Sequence, residues 1–256
     1  MKFLRIRVSG SFNSFRQPDF QTYHKTLPLP PKTTVAGMLG AALGISPKEV
    51  NDKWLENNRF QMGIVGYSNG KASDLWQIDK ITGYGKGDEK LPGFRKIGNN
   101  SYYKAVIIRE ILFNCNFVIY LNFTENTDFE SIKSHLENPV WALSLGREDE
   151  LIKMTAIDLI EIEEKEGVFL QNTMMPLNEK NEKYDIDLSR RSSDGNLLNE
   201  APKTVKLPMT FLQKEGSEAR EAKTFQDFIF VSQLPIKPIG SKAFFDEDLQ
   251  LAFQIF

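Results

Sequence analysis

Residues 2–9 alternate strictly, with Leu4, Ile6 and Val8 on one side and Phe3, Arg5 and Arg7 on the other. That period predicts a strand with one core face. It runs into Gly10-Ser11-Phe12-Asn13-Ser14-Phe15-Arg16, a loop of small polar residues, two aromatics and a terminal arginine. Leu27-Pro28-Leu29-Pro30-Pro31 then reads as an extended approach, because each proline fixes its own φ and restricts its predecessor. A helix follows from Thr33 or Thr34, either of which can cap with its side-chain oxygen. Val35, Met38, Leu39, Ala42 and Leu43 make a broad apolar face, while Gly37, Gly40, Ala41 and Gly44 make a smooth one. Each helical glycine costs up to about 1 kcal/mol relative to alanine, so the smooth side predicts a close neighbour, either backbone or ligand. The helix start, with Lys32, Thr33 and Thr34 beside its free N–H groups, suits a phosphate. A helix that is apolar all round is equally a plain core helix.

Further along, Pro47 after Ser46 opens a second helical piece over 47–57. Residues 60–67 read as a strand, ended by a turn at Asn69-Gly70. Between Thr82 and Tyr103, Gly83, Gly85, Gly87, Gly93 and Gly98 alternate with Lys86, Lys90, Arg95 and Lys96 and with Tyr84, Phe94, Tyr102 and Tyr103. This is either a nucleic-acid-binding segment or a solvated hairpin. Two strands follow at 104–113 and 117–123, separated by Asn114-Cys115-Asn116. Arg109 and Glu110, inside so apolar a run, need partners or an edge. Thr127 with Glu130 forms a capping box for a helix that turns Phe129, Ile132 and Leu136 inward and stops at Pro139. A strand near 156–162 completes a βαββαβ succession, which predicts an α+β, ferredoxin-like (RNA-recognition-motif-like) domain over 1–162 with an inserted basic hairpin or loop at about 82–103. Residues 163–204 read as a polar connection, and 205–212, 224–233 and 249–256 as the strands of a C-terminal β extension.

Composition narrows the chemistry. The chain has 256 residues, enough for one large domain or two small ones, with 32 basic against 34 acidic side chains. Any nucleic-acid role must therefore come from local patches rather than bulk charge. Cys115 is the only cysteine, and the histidines, His24 and His135, are far apart in sequence. An internal disulfide and a zinc-type ligand set are excluded. No signal-peptide pattern or membrane-length apolar run occurs, so a soluble, cytoplasmic protein is expected.

Three segments together resemble family five of the CRISPR-associated proteins, in the RAMP superfamily. They are the first strand running into Gly10–Arg16, the block Pro30-Pro31-Lys32-Thr33-Thr34-Val35-Ala36-Gly37-Met38-Leu39-Gly40-Ala41-Ala42-Leu43-Gly44, and Leu143-Ser144-Leu145-Gly146-Arg147-Glu148. Arg109-Glu110-Ile111-Leu112 is also similar. The resemblance implies a ferredoxin-like domain with a protruding hairpin and a C-terminal β extension. It implies a subunit of a type I Cascade complex, with type I-B the branch it looks most like. Such a subunit holds the 5′ handle of the CRISPR RNA, caps the backbone filament, contacts the backbone and large subunits, and meets target DNA only through the complex. The residues expected at RNA are Ser11, Asn13, Ser14, Arg16, Lys25, Lys32, Thr33, Thr34, Lys86, Arg95, Lys96, Arg109 and Arg147. No cofactor or metal is expected, and no membrane partner.

A metal-independent endoribonuclease is the competing expectation, because Tyr23-His24-Lys25 offers base, acid and cation types in one tripeptide. Adjacent residues on an extended chain point alternately, however, which keeps the three apart without a special turn. A third reading, an unrelated small-molecule binder of the same fold class, leaves the Lys32-Thr33-Thr34 cluster unexplained. No run matches the aromatic strand signature of RNA-recognition motifs, so loops rather than the sheet face are expected to carry RNA. Phe12 is expected to anchor its loop in the core.

Overall fold

A single 24-residue strand organises the sheet. The computed structural model describes residues 1–17, 20, 23–82, 95–97, 100–178, 183–187, 201–213 and 220–256. The elements run β1 (Lys2–Asn13), β2 (Tyr23–His24), α1 (Lys32–Leu43), α2 (Pro47–Val50), a π-helical turn (Asn51–Leu55), β3 (Phe60–Tyr67), β4 (Gly70–Thr82), β5 (Arg95–Ile97), β6 (Asn100–Phe123), α3 (Asn126–Glu137) and β7 (Ile152–Glu161). They continue with β8 (Glu164–Glu166), β9 (Thr173–Pro176), β10 (Tyr184–Ile186), β11 (Lys203–Gln213), β12 (Arg220–Val231), β13 (Ile236–Pro238), β14 (Lys242–Asp246) and β15 (Leu251–Phe253).

The main sheet is ordered β11-β12-β9-β3-β6-β1-β7, with β2, β4 and β5 also paired to β6. Within the segment β3-β6-β1-β7 each neighbouring pair is antiparallel. The chain reaches β3 from β1 through α1, and β7 from β6 through α3. The period-2 pattern of β1 places Leu4, Ile6 and Val8 in one core with Met62, Ile64, Ile119 and Leu121, closed by α1 and α3. Each such side chain, fully buried, contributes on the order of 1.5–3 kcal/mol. β6 is continuous where two strands were expected. Asn114, at φ 49, takes up the interruption as a left-handed residue, a conformation asparagine tolerates better than most.

Residues beyond 163 enter the same sheet. Thr173, Met174, Met175 and Pro176 of β9 are all buried, and β9 pairs with both β12 and β3. β14 and β15 cover part of the opposite sheet face, where Phe244 and Phe253 pack on Phe3 and Tyr120. Arg5, which alternation sends to that face, is therefore buried rather than presented to a ligand. It bonds Asp246 at 2.9 Å and Asp158 at 3.1 Å, with Asp248 at 3.2 Å. Burial opposes its charge, but these carboxylates outweigh burial and raise its pKa.

Two helix starts differ from the sequence expectation. α1 begins at Lys32 with Pro31 as N-cap and no side-chain cap bond, so Thr33 and Thr34 fall within its first turn. α3 begins at Asn126 after Glu125, again without a side-chain cap bond. Extended proline and glutamate at those positions already set the entry direction of the chain. The smooth side of α1 also resolves residue by residue. A Cβ on Gly40 would strike a methyl of Val50, so the close neighbour there is the chain itself. Gly44 is the left-handed C-cap at φ 68, and Gly37 faces open space.

Lys32 is only 4% exposed. Its Nζ donates to Asn58 Oδ1 at 3.0 Å and to the Phe256 carbonyl at 3.2 Å, above the Phe60 ring. Burial lowers its pKa from 10.5 to about 8. Below pH 8 both folded and unfolded chains hold this proton. Between 8 and 10.5 only the unfolded chain does, so stability rises with pH across that window. Relative to Lys32→Met, the wild type should gain up to about 2 kcal/mol between pH 8 and 9.5. Parallel denaturant titrations of both proteins check this, and equal pH slopes would refute it.

Candidate nucleic-acid interface

The loop that follows β1 is fixed by one buried carboxylate. Glu150 Oε2 accepts from the Ser14 backbone N–H at 2.7 Å and from the Arg147 N–H at 2.9 Å, while its Oε1 accepts from the Ser14 hydroxyl. Asn13 Nδ2 donates to the Leu145 carbonyl at 2.7 Å. Gly146 sits between these contacts at φ 119, and a Cβ there would run into Glu150 and the Ser14 carbonyl. Glycine is thus required at Gly146 by conformation and by space. The first half of the expected loop site is consequently a scaffold. Asn13 and Ser14 are buried and committed to Leu145 and Glu150 rather than presented to a ligand. Ser11 is exposed.

What this scaffold holds up is Arg147. Its Nη2 donates to His24 Nδ1 at 3.0 Å, so that nitrogen supplies a lone pair. The Arg147 guanidinium carbon lies 4.5 Å from the centre of the Trp76 ring, and that of Arg109 lies 5.2 Å from the same ring. Stacking on an aromatic face is a geometry that arginine, with its planar delocalised cation, adopts well. Arg109 Nε also donates to Asp74 at 2.8 Å, with Asp149 at 3.8 Å. Burial, then the charges of Arg109 and Arg16, lower the Arg147 pKa. Arg109 and Arg16 are therefore each close enough to Arg147 to oppose its charge, which Glu150 and Asp149 only partly offset, and an anion would relieve that field.

The register explains the convergence. β2 lies parallel to β6, pairing Tyr23 with Ile108 and His24 with Arg109. β4 pairs antiparallel with β6, setting Asp74 opposite Arg109 and Trp76 opposite Ile107. His24, Arg109, Asp74 and Trp76 thus share one side. Tyr23 points to the other, where its hydroxyl donates to Glu110 at 2.9 Å, a bond that raises the tyrosine pKa. Glu110 also accepts from the Thr26 N–H at 3.1 Å, and this is the partner its apolar strand required. Lys25 is exposed, 5.0 Å above the Phe20 ring. Tyr23, His24 and Lys25 accordingly diverge.

Of the remaining expected contacts, Arg16 is exposed, donating to the Phe20 carbonyl at 3.3 Å. Lys32 is displaced from the set by its burial, and Thr33 and Thr34 are half-buried in the first turn of α1. Lys86 lies outside the described residues, and Arg95 and Lys96 are placed by their backbone in β5 alone. Sequence reasoning missed Trp76 and Glu150. The run Leu75-Trp76-Gln77-Ile78 is a signal for β4, but nothing local tells that its tryptophan meets two arginines. Phe15 is the loop's anchor, 2% exposed against the Phe117 ring, whereas Phe12 is 56% exposed. The anchor expectation for Phe12 is thus reversed.

Comparison with known proteins agrees with this architecture. A family model described as CRISPR-associated protein (Cas5) matches residues 3–208. A solved structure described as a CRISPR RNA-guided surveillance complex aligns with a TM-score of 0.53 at 14% identity, covering 91% of each chain. A CRISPR protein from Archaeoglobus fulgidus aligns with a TM-score of 0.54 at 11% identity, covering 100% of this chain and 99% of that one. At these identities the structural likeness concerns the fold. No curated protein matches the chain.

Proposed function

We propose a function for a chain that belongs to the Cas5 family of CRISPR-associated proteins: it holds the 5′ handle of the CRISPR RNA in a type I surveillance complex of the I-B branch, without cutting it. In that role it caps the backbone filament, contacts the backbone and large subunits, and works in the cytoplasm. The observation that carries the reading is the convergence of Arg109 and Arg147 on Trp76, with Arg16 near enough to act on the Arg147 charge. Arginines supply phosphate contacts that position an RNA strand, and a partly exposed aromatic beside them suits single-stranded rather than duplex RNA. Among the described residues no helix is long and apolar enough to cross a membrane. The divergence of Tyr23, His24 and Lys25 supports the non-cutting reading, since phosphodiester cleavage requires its acid and base at one phosphate.

Arg16→Ala and Arg147→Ala should each weaken binding of a single-stranded repeat RNA similarly for different sequences. Each should reduce the salt slope by about 0.7, the release expected for one phosphate on a single strand. Fluorescence anisotropy across a salt series measures both, and unchanged affinity in both variants would remove the cluster from the site. The labelled repeat RNA should stay intact over hours with or without EDTA. A discrete product lost in His24→Ala would establish the nuclease reading instead.

A further inference from the structure

The sheet face opposite the helices is only partly covered. β14 and β15 pack on Phe3 and Tyr120, but toward the end of β1 the same face is open. One row crosses the strands as Tyr67, Asn116, Ser9 and Lys153, paired in that order on β3, β6, β1 and β7. Beside it Phe113 pairs with Phe12. Asn114 turns into the left-handed region and Ser11 opposite it makes no ladder pair, and past this break the two phenylalanines lie on the open side. A Cβ on Gly10 would meet the Asn13 side chain, so Asn13 lies on the core side and its neighbour Phe12 points away. Phe12 is 56% exposed and Tyr67 52%.

We infer that this strip is a stacking surface for the bases of single-stranded RNA, continuing the strand held by the arginine cluster; it rests on the RNA-holding reading above. The composition points to that occupant. Two exposed aromatic planes sit two strands apart and three residues offset along the strands, roughly 14 Å between their backbones, so they serve two bases separately. Between them lie the neutral hydrogen-bonding groups of Asn116 and Ser9, and beyond them the cations Arg7 and Lys153. Arg7 has 42% of its side chain exposed and only a loose 3.7 Å pair with Asp158. The strip is also continuous with the first site, because Arg109, Ile111 and Phe113 succeed one another on one side of β6. Aromatic faces with cations at their margin bind single strands without needing a particular sequence.

The full chain is titrated into two 5′-fluorescein probes, a ten-nucleotide oligoadenylate RNA and an abasic ribose-phosphate strand of equal length. Phe12→Ala and Tyr67→Ala should each weaken the oligoadenylate about 5- to 150-fold, the range of one stacked base, and leave the abasic strand unchanged. Phe12→Tyr and Tyr67→Phe should restore binding. Both side chains are largely exposed, so thermal melts of the alanine variants should match the wild type. Oligoadenylate affinity unchanged in both alanine variants, or lost equally for the abasic strand, overturns the inference. If Arg147→Ala still weakens both probes in that case, the arginine site stands and only the strip falls. If arginine and aromatic variants alike change nothing, the RNA-holding reading falls with it. Normal RNA affinity with failed incorporation into the complex would make the strip a protein-docking face, which also overturns the inference.

Discussion

Asp246→Ala should lower the stability of the free chain by about 3 kcal/mol, the lower end for leaving a buried charge short of its partner. In a chain of this length that corresponds to a fall in Tm of roughly 6–12 °C. Asp246 is 3% exposed and accepts from both Arg5 and the Tyr120 hydroxyl, at 2.9 and 2.8 Å. It also turns β14 toward β15 by accepting from the Asp248 and Leu249 N–H groups. Removing it strips one strong acceptor from a buried guanidinium and leaves a buried phenol unpaired. Asp158 retains part of the guanidinium, which keeps the effect from the top of the range. Asp248→Ala is the contrast. Its side chain is 75% exposed, so its bond to the same Arg5 nitrogen should be worth less than about 1 kcal/mol. Thermal melts of the two variants side by side would decide, and equal losses would show that burial does not rank these carboxylates.

The Arg5–Asp246 pair also marks where the sequence stops being legible. Alternation places Leu4, Ile6 and Val8 inside and Phe3, Arg5 and Arg7 on the far face, and both sets sit there. Whether that far face meets water, RNA or protein depends on a segment 241 residues away, and no local period encodes it. Lys32 shows the same limit. A lysine after two prolines at a helix start reads as a phosphate ligand, yet its ammonium is taken by Asn58 and by the backbone of Phe256. Arg109 and Glu110 were legible as a need, since charges in an apolar strand require partners, but not as the answer. Their separate fates follow from alternation along β6, which sends Arg109 to the side of Asp74 and Trp76 and Glu110 to the side of Tyr23. Arg16 and Arg147 were readable as basic positions at loops and Arg109 as a charge in a strand, and the site emerges only through the pairing that brings Trp76 to Arg109 and Arg147.

Glu150→Ala should damage stability and RNA binding together, through one side chain that need not touch RNA. The carboxylate is 4% exposed and holds three donors, from the Ser14 backbone, the Ser14 hydroxyl and the Arg147 backbone. Loss of charged acceptors from buried donors costs on the order of 2–3 kcal/mol here, with Ser14 the group left unsatisfied. The Gly146 turn then loses the contact that fixes its left-handed geometry, and Arg147 no longer starts from a set backbone position on its way to His24 and Trp76. An arginine that must be ordered on binding gives back side-chain entropy, so RNA affinity should fall nearly as far as in Arg147→Ala. Combining the two changes separates positioning from contact. In the double variant the RNA-affinity losses should be far from additive, because Glu150 acts on RNA through Arg147. The stability loss should remain close to that of Glu150→Ala alone, because desolvation and the charge of Arg109 offset what the half-buried Arg147 guanidinium gains from His24 and Trp76. Additive losses of affinity would instead mean that Glu150 supports a second part of the interface, with Arg16, two residues beyond Ser14, the first place to look.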